Sequence, residues 1–282
     1  MTKEKLIWSP DGWDVNASHV WAEEKYGLLS NYIEIFARAM KERWDKRVYI
    51  DLYSGPGCTL VSETGRWLKG SPLLAMSVEE PFDKYIFCEK DASKIESLRK
   101  RVQSHFSHLD VTFIEGDCNL NVDEILRAIP KHSSGQKVLS FCFVDPFSLD
   151  LQFKTMSDLA SRFVDFLVLL ALDMDGRRNL KNYVSPKSTK IDLFLGMSNW
   201  RARWQIFSQT DDSFQRFLAT EFEEQMISLG YLKHSKGNTR HISTPDHNLP
   251  LYHLAFFSRN RLGYKFWDEC LRYSSDQQSF QF

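Results

Sequence analysis

Apolar positions along the 282-residue chain gather into five short runs bounded by turn residues: Val48–Tyr53, Tyr85–Glu89, Val111–Glu115, Val138–Asp145 and Val164–Leu172. Between them the pattern changes to helical spacing. Ile95, Leu98, Val102 and Phe106 fall on one helix face, and Ile125, Leu126 and Ile129 form a second stripe that Pro130 ends. Strands alternating with single helices predict right-handed crossovers and a parallel sheet. The last two runs are almost continuously apolar, as in strands covered on both faces. The expected fold is a doubly wound, Rossmann-like α/β domain.

Outside this cadence, Val20–Trp44 has the pattern of one amphipathic helix, with Trp21, Leu28, Leu29, Tyr32, Ile33, Phe36 and Met40 on its buried side. A helix is expected from about Asp211 to Leu229, with Thr210 as N-cap and Gly230 just past its end. A late strand, Leu251–Ser258, and a closing helix, Tyr264–Tyr273, complete the chain. The expected organisation is an N-terminal helical extension over residues 1–44 and one domain over 45–282, with a basic insertion at about 173–210 after the fifth strand.

Composition narrows the class. With 43% hydrophobic and 26% charged residues the chain is globular rather than disordered. The longest apolar run, Phe166–Leu172, is far below the ~20 residues that span a bilayer. No apolar run follows the first residues, so a cytoplasmic protein without membrane association is expected. None of the five cysteines is spaced as Cys-x-x-Cys, which predicts reduced thiols near the core and no bound metal. The histidines show no ligand spacing either. Net charge is only −1, but it is uneven. Arg177–Trp204 holds seven basic residues against Asp192, and Tyr231–Lys265 holds six against Asp246, so the rest is acidic. Tyr183, Trp200, Trp204 and Tyr252 lie among these cations. That pairing suits a nucleic acid, RNA or DNA, and equally suits a solvated basic face over core tryptophans.

The strand ends carry the candidate chemistry. The first ends in Asp51-Leu-Tyr-Ser-Gly55-Pro-Gly57, and a glycine turn there is where doubly wound sheets hold nucleotide-like ligands. The second ends in Glu89, placed to accept from ribose hydroxyls and to repel a 2′-phosphate, with Asp91 as the better helix cap. The third ends in Asp117-Cys118-Asn119, facing an adenine amino group or simply capping a helix. The fourth ends in Asp145-Pro146-Phe147, where the acid can accept a substrate N–H and the ring can stack on a base, although Asp-Pro is also a common turn. Thirteen residues, Cys58–Gly70, precede Ser71-Pro72, which has the form of an N-cap followed by an N1 proline. This loop is a lid carrying Arg66, Trp67 and Lys69 over the ligand, or a surface excursion. The Asp173/Asp175/Arg177/Arg178 cluster is a substrate-side element or an ion-paired loop. The Glu23–Lys25 triplet lies inside a helix pattern and so gives a nuclease little support. No Walker-type lysine is present.

Together these four ends resemble the class I S-adenosylmethionine-dependent methyltransferase superfamily. Asp51–Gly57 is similar to its glycine turn, Phe87-Cys-Glu-Lys-Asp91 to its ribose-binding segment, and Asp145-Pro-Phe to the Asp-Pro-Pro-[Tyr/Phe] of amino-group methyltransferases, lacking the second proline. A resemblance over almost the whole chain is to the three-Cys-motif partner family. It rests on Lys25–Tyr32, Asp51–Gly57, Gly70–Ala75, Asp145–Phe147, Asp175–Leu180 with Asp192–Gly196 and Trp200, and the ending Leu251–Arg259 and Gly263–Trp267. The resemblance implies a mostly parallel seven-stranded sheet. It implies S-adenosylmethionine held by Asp51, Tyr53, Ser54, Gly55, Gly57, Glu89, Asp117 and Cys118, and catalysis by Asp145, Pro146 and Phe147. Arg66, Arg177, Arg178, Arg201 and Arg203 are the candidate substrate-binding residues. The expected function is methyl transfer to a nucleic-acid base, at an amine or a carbon. The alternatives are a non-catalytic adaptor for the radical-type, three-cysteine protein often encoded beside this family and, more distantly, a nuclease.

Overall fold

The computed structural model describes residues 3–172, 182–211, 213–233, 239–243 and 250–279. The five apolar runs form β2 (Lys46–Asp51), β5 (Lys84–Glu89), β6 (Val111–Glu115), β7 (Val138–Val144) and β8 (Val164–Leu170). Two later strands, β9 (Thr239–Ser243) and β10 (Pro250–Phe257), extend the sheet. The order across its seven strands is β6-β5-β2-β7-β8-β10-β9. The five early strands are parallel, and β10 runs antiparallel to both β8 and β9. This is the expected doubly wound α/β fold.

Alternation along each strand feeds two separate cores. Tyr49, Phe141, Phe143, Leu167 and Leu169 face one side, where α1 (Trp21–Met40), α2 (Ser71–Met76), α3 (Ala92–His105) and α9 (Arg261–Ser279) cover the sheet. Ile50, Cys142, Val144, Phe166 and Val168 face the other. There they meet α4 (Val122–Ala128), α5 (Phe153–Leu159), α6 (Lys190–Leu195), α7 (Trp200–Phe207) and α8 (Phe214–Ser228). The long N-terminal helix shares the first of these cores. Tyr32 packs 5.1 Å from Phe141, 4.9 Å from Phe256 and 5.9 Å from Trp267.

Three local expectations are corrected. Helix α8 begins at Phe214, capped by the Ser213 hydroxyl accepting from Arg216 N, whereas the Thr210 hydroxyl donates to Phe207 O. Gly230 does follow that helix in the left-handed region. Gly70, not Ser71, is the N-cap of α2. The loop Cys58–Gly70 is a hairpin of β3 (Cys58–Val61) and β4 (Trp67–Lys69), and β1 (Asn16–Ser18) pairs with β3 in parallel to make a second, three-stranded sheet.

A buried arginine ties this small sheet to the large one. Arg101 on α3 is wholly inaccessible and chelates Asp11 with two bonds of 2.7 Å. Its remaining donors reach Asp14 O and Pro56 O, the latter inside the glycine turn. That guanidinium holds the Asp11 carboxyl below its ordinary range against the opposing effect of burial. Arg101→Met would remove the counter-ion of a largely buried carboxylate, leaving it the Trp8 indole N–H and Trp13 N as donors, and would take the guanidinium donor from two carbonyls. Chemical denaturation is expected to show a loss of about 3–5 kcal/mol.

Candidate functional site

Parallel strands bring their carboxyl ends to one edge. The order reverses between β2 and β7, since the chain winds outward to β5 and β6 on one side and to β7 and β8 on the other. A crevice opens at such a switch point. Here it is a cleft of about 740 Å³ whose walls include Tyr53, Ser54, Glu89, Asp117, Cys118 and Asp145. Pro146 and Phe147 line it as well, and the Phe147 ring is 95% exposed at the mouth.

The first turn is held from several sides. Leu52 N donates to Phe143 O of β7, and Ser54 N to Cys88 O of β5. Glu89 bridges the second strand end to the turn, accepting from Gly55 N at 2.9 Å and from Asp91 N at 3.0 Å. Asp91 caps α3 through Ser93 N and Lys94 N, as its position predicts. Gly55 and Gly57 have φ of 59° and 90°, in the left-handed region that favours glycine. A Cβ at Gly55 would lie 2.7 Å from the Asn16 amide, and one at Gly57 2.8 Å from Leu98. The missing side chains therefore make room for β1 and α3. Neither glycine lines the cleft, whose wall at this turn is formed by Leu52, Tyr53 and Ser54.

Asp51 does not line it either. It is fully buried below the turn, accepting from Tyr53 N and from the Tyr49 hydroxyl, both at 3.3 Å. Burial pushes its carboxyl up to about 7, with Asp145 adding to the rise. Asp117 accepts from the backbone and side-chain amide of Asn119, at 2.8 and 2.9 Å, and keeps its exposed edge toward the cleft.

Sequence reasoning missed Lys25. Its ammonium reaches Asp145 Oδ2 at 2.6 Å, with side-chain exposures of 6% and 18%, and lies over the Tyr26 and Trp21 rings at 4.6 and 5.2 Å. The signal was a lysine inside the apolar stripe, one turn from Trp21 and one turn from Leu29. Asn16 was missed too, because a three-residue strand leaves no periodicity to detect.

The expected substrate-binding arginines are not gathered here. Arg66 pairs with Glu23 of α1. Arg201 chelates Asp192 at 3.0 and 3.1 Å and donates to the carbonyls of Val184 and Ser185, stapling the segment before α6 to α7. Arg203 pairs with Glu221 and Glu224 of α8. Trp200 and Tyr183 are buried, and Trp204 packs among Phe207, Phe214 and Phe217, so these rings serve the core rather than a base. Arg177 and Arg178, with Asp173 and Asp175, lie outside the described residues, as does the Tyr252 side chain. Among the described residues no group of three His, Cys, Asp or Glu is placed to hold a metal ion, and no helix is long and apolar enough to cross a membrane.

No family model and no curated protein matches the chain, so the likeness to the three-Cys-motif partner family rests on its motifs alone. Among solved structures it is similar to protein LPL1258 from Legionella pneumophila, at 12% identity over 83% of this chain and 85% of that one, with a TM-score of 0.46. Trm1 from Pyrococcus horikoshii, solved with S-adenosyl-L-methionine, is similar at 12% identity and a TM-score of 0.44, over 93% of this chain and 62% of that one. The cyclopropane synthase MmaA2 from Mycobacterium tuberculosis is similar at 10% identity and 0.41, over 92% and 72%. Likeness at this level carries no information on activity.

The buried acids set a pH dependence. Asp51, and likewise Asp165 at the start of β8, are pushed up to about 7 by burial, against an ordinary value of 3.8. The folded state therefore keeps their protons over that window. Their contribution to stability is fully present below about pH 4 and is lost as pH rises to about 7, by at most about 1.4 kcal/mol per pH unit for each group, while acids with lowered pKa values such as Asp11 act in the opposite sense. Asp51→Asn mimics the protonated form. Denaturation across this range should show a shallower fall for it than for the parent chain.

Proposed function

We propose that the protein is an S-adenosylmethionine-dependent methyltransferase whose acceptor is an amino group on a planar ring, with an unpaired nucleic-acid base as its substrate class. The observation that carries the reading is the convergence of Tyr53 and Ser54, Glu89, Asp117 and Asp145-Pro146-Phe147 on one cleft at the switch point.

The residues fit the cofactor. Ser54 Oγ is buried with no hydrogen-bond partner among the described residues and belongs to the cleft wall, a polar atom suited to a polar ligand. Glu89 uses one lone pair of each oxygen on Gly55 and Asp91, so each oxygen keeps another for a ribose hydroxyl. Asp117 would accept from an amino group of the adenine. Bound there, S-adenosylmethionine would supply an electrophilic methyl group from its sulfonium.

The chain's own residues then have three tasks. Asp145 accepts an N–H of the acceptor amine and stabilises the positive charge that develops on nitrogen. Phe147 offers an exposed ring face to the acceptor plane, and a flat ring beside a carboxylate suits an unstacked base. Pro146 stiffens the turn between them, since its φ is fixed. Because transfer is an in-line displacement, most of the acceleration comes from holding the two reactants in line, and the displaced proton is left to water.

Isothermal calorimetry is the direct test. S-Adenosylmethionine should bind and NADP should not. Glu89→Ala removes charge-assisted bonds worth about 1.5–3 kcal/mol each, so cofactor affinity should fall by roughly 10- to 150-fold for each bond lost. Asp145→Ala should keep cofactor affinity and lose labelled methyl transfer to total RNA or DNA. No heat on adding cofactor to the parent chain would refute the proposal.

A further inference from the structure

The geometry points to Lys25 as a positioning residue for the acceptor. Its ammonium holds one oxygen of Asp145 and leaves the other directed to the amine. This rests on the transfer reaction proposed above.

The case begins with what a lysine costs at this position. On α1 it occupies the stripe that also holds Ala22, Leu28 and Leu29, all at or near zero exposure. Removing an ammonium from water costs several kcal/mol, and an apolar side chain of similar length would serve the packing better. Helix α1 does not need the ion pair for attachment. Its core face is seated on the sheet by Tyr32, Ile33 and Phe36, and its solvent side is tied to Glu79 and Glu80 through Arg38 and Lys41. The pair instead joins α1 to a residue 120 positions away, at the tip of β7 and on the cleft wall.

The surroundings show why a cation is wanted there. Asp145 lies beside the fully buried Asp51, and its charge contributes to the rise in that carboxyl. Tyr26 faces the pair from α1. The same cleft is lined by Glu89, Asp117 and Asp150 and by His19, Lys90, Lys94 and Lys190, the last paired to Asp150. Lys25 is the cation in contact with Asp145, at 2.6 Å, and it offsets this acidic field where the acceptor binds. The Trp21 and Tyr26 rings flank the ammonium and fix its direction, which in turn fixes the carboxylate. Oδ2 is thereby committed, and Oδ1 is the oxygen left to accept from a substrate.

The experiment compares the parent chain with Lys25→Met, Lys25→Gln and Lys25→Arg in labelled methyl transfer to total RNA and DNA, with calorimetry of S-adenosylmethionine and thermal melts alongside. In Lys25→Met, kcat should fall by about 100-fold, the scale of a misplaced reacting group. Cofactor affinity should be unchanged, and the loss should fall on kcat with little change in KM for the nucleic acid. Lys25→Arg should restore most of the rate. If the methionine variant does not melt cooperatively, Lys25→Gln carries the same expectation. A folded Met or Gln variant with the parent's kcat overturns the positioning role and leaves the transfer reading intact. A parent chain that binds cofactor yet methylates neither nucleic acid removes the transfer reading, and the role of Lys25 with it.

Discussion

The site depends on the parallel pairing of β5, β2 and β7. In parallel strands the carboxyl ends lie together, and the register matches Asp51 with Phe87 on one side and with Phe143 on the other. Glu89 and Asp145 then emerge two residues beyond those partners, on either side of the glycine turn. No side chain has to reach far. Both faces of the ladder are covered, so backbone position is set by two independent cores, and the strand tips inherit that rigidity.

The parts of this arrangement legible in sequence are those written as burial. Strands β7 and β8 are buried at every position, and short, nearly unbroken apolar runs between turns are what a strand covered on both faces requires. The strand ends were legible because a short polar or glycine-bearing segment after such a run can only be a tip. By contrast, β1, β3 and β4 have three or four residues each, too short for periodicity, and β1 pairs with β3 across more than 40 positions, beyond any local pattern. Charge was the least informative signal. Arg201 and Arg203 stand in a strongly basic stretch, yet their partners come from Asp192 close by and from α8 further on, so a linear tally of charge misjudged what solvent sees. Lys25 was hidden for the opposite reason. An apolar stripe is recognised by its apolar members, and a single ammonium within it is discounted.

Conformational constraint and the lining of the cleft fall to different residues of the glycine turn. Both glycines are needed, since their φ values and their neighbours exclude a side chain. Gly70 repeats the point from the other direction: a Cβ there would come within 2.9 Å of Gly57 O. The two glycines form a packing node where β1, α2 and α3 meet the end of β2, while Tyr53 and Ser54 of the same turn line the cleft.

Helix α1 packs on the sheet beside α9, and the Cys270 thiol reaches Leu28 O across 242 positions of sequence. That pairing has a kinetic side. Helix α1 leaves the ribosome before any strand of the large sheet, but the α9 surface that completes its packing is made after all of them. Until then its apolar stripe, Lys25 included, has only part of its final environment. The central strands can pair beforehand, whereas the contact that completes the cleft closes a loop of more than a hundred residues, which is entropically slow. Assembly of the cleft is thus a late event, coupled to consolidation of the whole domain, and a partly folded chain would present the glycine turn before the contact between Lys25 and Asp145 had formed.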